Sequence, residues 1–438
     1  MNNHRLSIAE ASKAIKRGEI TPSELLESHL KRIERNEHDI RAWVTVDKDG
    51  ARDAAARLTK ESEQGQIRGP LHGIPVGVKD IFYTAGLKTT MGSPIYSEFV
   101  PVKDSAVVSA LREAGAVIVG KTETTDFACT DPAATRNPWN LQHTPGGSSS
   151  GSAAAVSSGM CPLALGSQTG GSVIRPAAFC GVVGMKPTYD ILSREGVYPL
   201  AWSLDHVGFF VRSVRDASLV LGALTGNEMP SMETSLAEPP RIGLLRGFFQ
   251  DYADELVWEG FMSSVDELRE AGAQVVETPL PDSFNVVHAA HRLIMSSEAA
   301  SVHQDNFRSR LGDYRRKLRG LITSGLLVPT SAYLRAQRIR GLFIEEVRRT
   351  LKGLDCLITP SAPTPALHGL ESTGDAAFNS PWSLTGFPSI TVPSALTKDG
   401  LPLGVQLINL PYQEKALLRT ALWCEEALGS NLWPPDYT

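Results

Sequence analysis

The chain of 438 residues is long enough for about three average domains or for one large α/β domain. Hydrophobic residues make up 42% and charged residues 21% of it, ordinary globular usage that excludes a disordered, fibrous or disulfide-scaffold protein. Its 43 Lys+Arg and 48 Asp+Glu leave a formal charge of -5, which excludes a global positive field for nucleic acid or an anionic membrane.

The opening stretch MNNHRLSIAE has no basic segment followed by an apolar one, and no later run reaches the ~18 uninterrupted apolar residues of a membrane helix. A cytoplasmic protein is expected. Cys129, Cys161, Cys180, Cys356 and Cys424 are widely spaced with no Cys-x-x-Cys, so reduced thiols and no structural zinc are expected. Residues 5–65 read as helices. Thr21-Pro22-Ser23-Glu24 forms a capping box with proline at the first helical position, and Leu25, Leu26, Leu30 and Ile33 follow at helical spacing. From 70 to 225, short β-rich runs (Ile74–Val78, Val117–Val119, Val182–Met185) alternate with helical stretches such as Ser105–Ala114, which is the α/β pattern. A strand at Ile242–Leu245, an amphipathic helix over Glu255–Ala271 and a strand at Gln274–Glu277 continue that rhythm. Between 283 and 350 the chain is helical and basic. Arg308 to Arg349 holds eleven Arg/Lys against Asp313, Glu345 and Glu346, which reads as solvated helix faces. Leu357–Thr359, Ser389–Val392 and Gly404–Ile408 return to the sheet. With no repeat or long linker, one large domain with a helical insertion is expected.

The most unusual composition lies between Gly146 and Ser172, where 19 of 27 residues are Gly, Ser or Ala. Val156, Met160, Leu163 and Leu165 argue against a flexible linker. Two readings remain: tight helix–sheet packing, or a site where glycines allow close backbone approach. In the second, the Gly-Gly-Ser turns at 146–148 and 170–172 hold serine hydroxyls beside inward-facing N–H groups that suit an oxyanion. Neither turn has the Gly-Lys-Ser/Thr ending of a phosphate loop. Gly147-Ser148-Ser149-Ser150-Gly151 also fits a nucleophile elbow centred on Ser149, but the polar, proline-ended Asn140–Pro145 before it is no strand. Spacing ties no histidine to the site, and His288-x-x-His291 reads as helix faces. A serine nucleophile without histidine needs a neutral lysine, and only about 0.1% of an unperturbed lysine is neutral near pH 7.4. Burial lowers an ammonium pKa, so lysines in apolar strands are the candidates. Lys79, Lys121 and Lys186 all qualify, and physics alone does not choose among them.

GGSSSGSAAAV followed by LGSQTGGSVIRPAAFCGVVGMKPT resembles the signature of the amidase signature hydrolases. The similarity runs from GPLHGIPVGVKDIF through VIVGKTETTDFA, TRNPWN and SLDHVGFFVRSV to SLTGFPSITVPSALTKDGLPLGVQLI, roughly the whole chain except 250–350. It implies an α/β fold with a large central mixed β-sheet flanked by helices. A single amidase domain would span 1–438, with N-terminal helices at 1–65, the signature core at 66–230 and a helical insertion at 280–350 shaping the substrate pocket. The resemblance also implies the catalytic set Lys79, Ser148 and Ser172, the serines standing 24 residues apart. Ser172 would attack the amide carbonyl, while Ser148, on a cis peptide after Gly147, would relay its proton to neutral Lys79. The N–H groups of Thr169, Gly170, Gly171 and Ser172 would surround the oxyanion, with Ser149 and Ser167 in supporting hydrogen bonds. Family members commonly carry arginine two residues after the nucleophile. Here Arg175 stands third, as in the bacterial malonamidase pattern, and Gln168 replaces a common acidic residue. Arg175 and Gln168 are the expected substrate-binding residues, Arg175 for a carboxylate, although Pro176 disfavours helix at Arg175.

The expected activity is hydrolysis of the C–N bond of a small-molecule amide through an acyl-enzyme, with no cofactor and no metal. No nucleic acid and no membrane are expected as partners, and an apolar patch on the N-terminal helices would indicate a homodimer. The alternative within the family is the glutaminase-type A subunit of a tRNA-dependent amidotransferase. From another class, the alternative is a catalytically silent binding protein on the same fold.

Overall fold

A computed structural model describes residues 3–227, 238–429 and 432–435. Its strands are β1 Trp43–Val46, β2 Pro75–Lys79, β3 Val117–Thr122, β4 Leu163–Gln168, β5 Val183–Lys186, β6 His206–Val211, β7 Arg241–Leu245, β8 Gln274–Thr278, β9 Cys356–Pro360, β10 Ser389–Leu396 and β11 Pro402–Ile408. They form one mixed sheet in the order β1-β3-β2-β4-β6-β5-β10-β11-β9-β7-β8. The β3-β2-β4 and β9-β7-β8 blocks are parallel, and the middle of the sheet is antiparallel. Every residue of β2, β3 and β4 is buried, as expected for strands covered by helices on both faces, whose sequences then read as apolar runs. Edge strand β8 alternates between partial and full exposure, which matches its polar Gln274-to-Thr278 sequence.

The capping boxes form as written. Thr21 and Glu24 bond reciprocally with Pro22 opening the helix Pro22–Ile40, and Ser7 and Glu10 repeat the device one helix earlier. Residues 5–65 are not all helical, however. Trp43–Val46 pairs antiparallel with β3, because an aromatic and three β-branched residues in a row suit the edge of a sheet better than a helix. The Gly/Ser/Ala run becomes the helix Ser150–Ser157, fully buried along its length. Its small side chains are needed for packing: a Cβ on Gly151 would stand 2.2 Å from the Ala42 carbonyl oxygen. Its hydroxyls bond inward, Ser152 to the Leu165 carbonyl at 2.8 Å and Ser157 to the Cys180 carbonyl at 2.7 Å. Arg175 is helical after all, in Ile174–Cys180. Pro176 falls in the first turn, where the missing N–H has no intrahelical acceptor to lose.

Residues 283–350 fold into the helices Phe284–Val302, Gln304–Arg310, Arg316–Leu326 and Thr330–Thr350. Phe284–Val302 carries a buried face of Val287, Ala290, His291 and Ile294, and it lies against the helix Ser380–Thr385 as well as against its own neighbours. Among the described residues, the exposed large apolar side chains include Val102, Leu327 and Tyr412 and none on the N-terminal helices. No described helix is long and apolar enough to cross a membrane.

Candidate active site

Lys79 is the last residue of β2, and Ser167 lies near the end of β4, its parallel neighbour. Parallel register therefore delivers both side chains to the carboxyl end of the sheet, where α/β folds place their ligands. The loop before the helix Ser150–Ser157 brings Ser148 to the same point, through a cis Gly147–Ser148 peptide. Lys79 Nζ donates to Ser148 Oγ at 2.8 Å and to Ser167 Oγ at 2.8 Å. The amine is fully buried, and burial holds its pKa well below the usual lysine range, with only the charge of Asp205 pulling the other way. Burial thus disfavours the charged form of an amine that sits against two serine hydroxyls. Ser149 Oγ completes the cluster, bonding the Ser167 main chain at 3.3 Å.

The other two lysines are buried but differently engaged. Lys121 donates to the Phe82 carbonyl and to Thr84 and Thr89, and faces Asp80 at 3.6 Å, its pKa lowered by burial to about 8. Lys186 donates to the Phe387 carbonyl and is lowered by burial to about 7. A carbonyl accepts a hydrogen bond but has no proton to give, and the Thr84 and Thr89 hydroxyls beside Lys121 donate to the Phe82 and Leu87 carbonyls. Only Lys79 has hydroxyl partners on the serine-rich segment.

Ser172 stands in the turn between β4 and the helix Ile174–Cys180, half-buried. Among the described residues its hydroxyl makes no hydrogen bond, so the structure joins Lys79, Ser148, Ser149 and Ser167 in one network that does not include Ser172.

The loop leading to Ser172 has its carbonyls tied down one after another. His206 Nδ1, shared with the Leu204 carbonyl at 2.6 Å, reaches the Gln168 carbonyl at 3.2 Å; His291 Nε2 holds the Thr169 carbonyl at 2.9 Å, Ser383 Oγ the Gly170 carbonyl at 2.8 Å, and the Arg175 N–H the Gly171 carbonyl at 3.0 Å. The side chain of Thr169 bonds Asp205 at 2.6 Å, and Asp205 also accepts from the Leu200 and Ala201 amides while burial pushes its pKa up to about 6. Gly171 has no room for a side chain, since a Cβ there would lie 2.4 Å from Asn379 Oδ1.

Gln168 is fully buried; its Oε1 accepts from the Val173 and Ile174 amides at 2.9 and 3.0 Å, capping the following helix, and its Nε2 donates to Ser383 at 3.1 Å. Arg175 is buried too. One Nη donates to the Gly147 carbonyl at 2.6 Å while its Nε has no partner, and burial lowers its pKa to about 10. A cavity of about 320 Å³ opens against Ser167 and Thr169, with Ile81, Tyr198, Trp202 and Arg194 in its walls.

The residues that sequence reading missed are His206, Asp205, His291 and Ser383. Asp205 and His206 lie inside the matched SLDHVGFFVRSV segment. His291 was read only as a helix-face residue, because nothing in His288-x-x-His291 ties it to a loop more than a hundred positions earlier in the chain.

A lysine amine against two serine hydroxyls at the end of a buried parallel strand, beside a glycine loop and an open cavity, is an arrangement suited to moving a proton at a bound substrate. The chain belongs to the amidase family, whose model matches residues 24–418, and it is an amide-hydrolysing enzyme. It is 36% identical to the A subunit of the glutamyl-tRNA(Gln) amidotransferase of Halothermothrix orenii, over 99% of this chain and 100% of that one. The native peptide amidase of Stenotrophomonas maltophilia superposes with a TM-score of 0.83 at 29% identity, covering 98% of both chains. The A subunit of the glutamyl-tRNA(Gln) amidotransferase of Thermotoga maritima superposes with a TM-score of 0.80 at 30% identity, covering 96% of this chain and 94% of that one. The amidotransferase relatives correct one expectation drawn from the charge balance and the family resemblance, that of a small-molecule substrate with no nucleic acid. Net charge describes the average surface, and it is blind to a partner engaged locally or through a companion chain.

Proposed function

We propose that this chain is the glutaminase-type A subunit of a tRNA-dependent amidotransferase, hydrolysing an amide C–N bond and releasing ammonia to a partner subunit. The chemistry rests on one observation, the fully buried Lys79 amine lying within hydrogen-bond distance of Ser148 Oγ, 2.8 Å away. The role within a larger assembly is supported by similarity to amidotransferase A subunits over nearly the whole of both chains.

In this reading, neutral Lys79 takes the hydroxyl proton of Ser148 as Ser148 takes that of Ser172. The Ser172 oxygen bonds the amide carbon, and the carbonyl π electrons move to its oxygen. The N–H groups of Thr169 to Ser172 receive that oxyanion, an arrangement that favours the tetrahedral state over the planar substrate. The proton returns through Ser148 to the leaving nitrogen, ammonia departs, and water cleaves the acyl-Ser172 ester by the same relay. Ser149 and Ser167 hold the Lys79 end in place.

The test is ammonia release from glutamine by the chain alone and with its partner subunits. Turnover that rises on assembly supports the reading. Ser172→Ala should abolish turnover and labelling by a fluorophosphonate with the fold retained. Full activity in Ser172→Ala removes the mechanism, and full glutaminase activity by the isolated chain, unaltered by partners, removes the role in an assembly.

A further inference from the structure

We infer that His291, on the helix Phe284–Val302 of the basic helical region, is a positioning residue for the reaction: together with Ser383 it aims the backbone amides of the loop before Ser172. The inference rests on the proposed role of those amides as the oxyanion site. In a trans peptide the C=O of one residue and the N–H of the next share a plane and point in opposite directions. The only cis bond among the described residues is Gly147–Ser148. Fixing the Thr169 carbonyl therefore fixes the direction of the Gly170 N–H, and fixing the Gly170 carbonyl does the same for the Gly171 N–H. His291 Nε2 makes the first bond at 2.9 Å and Ser383 Oγ the second at 2.8 Å.

Among the described residues, no acceptor within the chain takes the amides of Gly170, Gly171 or Ser172, whereas the carbonyls of residues 168 to 171 are all engaged. Glycines at 170 and 171 leave this segment soft, because they permit many backbone conformations. External bonds must supply the rigidity that the sequence omits. His291 is 5% exposed, and burial lowers its pKa to about 4, so the ring is neutral at working pH. A carbonyl only accepts, so the single ring proton sits on Nε2 and its direction is determined. Ser383 is itself held by Gln168 Nε2 at 3.1 Å, which extends the brace back to β4. The brace thus draws on Ser380–Thr385 and on a helix outside the signature segments.

The experiment uses the complete enzyme complex with glutamine, and a boronic acid analogue of glutamine that becomes tetrahedral on the serine. His291→Ala should lower kcat about ten-fold, less than the 10²–10³ lost when an oxyanion donor is removed outright, because the donor remains and only its aim is lost. Boronate affinity should fall by the same factor, with KM within two-fold of wild type. His291→Gln, which retains an N–H donor, should recover most of the loss. If His291→Ala does not fold, Ser383→Ala acts on the next carbonyl and gives the same readout. Unchanged kcat and boronate affinity, or a rise in KM alone, overturns the inference. A fully active Ser172→Ala overturns the catalytic reading instead, so the two failures are distinguishable.

Discussion

Replacing Lys79 by methionine separates its chemical role from its structural one. The variant keeps nearly the same volume in a fully buried site but removes the amine that donates to Ser148 and Ser167 at 2.8 Å. Loss of a general base of this kind lowers kcat by about three orders of magnitude, or about 4 kcal/mol of barrier. Stability should respond in the opposite sense as a function of pH. The folded-state pKa of Lys79 is depressed below its ordinary 10.5, so between those two values the unfolded chain binds a proton that the folded chain does not. Wild-type stability therefore rises with pH through that window, by up to about 1.4 kcal/mol per pH unit, and the penalty is fully present below the depressed value. The methionine variant lacks this contribution. Its two hydroxyls lose one bond each, about 1 kcal/mol apiece, and wild type should gain on the variant as pH rises from the depressed pKa toward 10.5. Denaturant titrations of both proteins across that range, paired with ammonia-release kinetics, read both effects. A stability difference that stays flat with pH refutes the neutral-amine argument, and retention of kcat refutes the base.

Lys121→Met should do the reverse, costing about 3–5 kcal/mol by leaving the buried Asp80, 3.6 Å away, without its counter-charge. Turnover per folded molecule should stay at the wild-type value, as checked by denaturant melts and active-site titration. Gly171→Ala places a methyl group 2.4 Å from Asn379 Oδ1, so the loop or Asn379 must move, and kcat should fall at least about ten-fold with the melting temperature little changed. Arg175→Ala removes the donor to the Gly147 carbonyl at 2.6 Å. Steady-state kinetics should show a loss in kcat exceeding any rise in KM, whereas a pure KM effect would assign Arg175 to a substrate carboxylate.

Much of the sheet was legible because its central strands are buried on both faces and so appear as short apolar runs. β2, β3 and β9 all fall within a few residues of Ile74–Val78, Val117–Val119 and Leu357–Thr359. Trp43–Val46 was hidden among helices, since its partner β3 lies some seventy residues away and edge pairing leaves little local pattern. The Gly/Ser/Ala run carried two readings, of which the structure shows the packing one and the proposed chemistry draws on the other. Its small residues pack a buried helix, and its ends hold Ser148 and Ser172.

The amino-acid sequence by itself determined the capping boxes and the apolar strands, and its family motifs pointed to the three residues on which the chemistry is proposed to depend. These are local matters of composition, periodicity and motif. Composition and periodicity left three buried lysines equivalent, and the tertiary structure supplies the physical reason to separate them, the parallel register of β2 with β4 that sets Lys79 against serine hydroxyls. It also decided that His291 and Ser383 brace the glycine loop, since a hydrogen bond forms by distance in space and leaves no periodic trace along the chain.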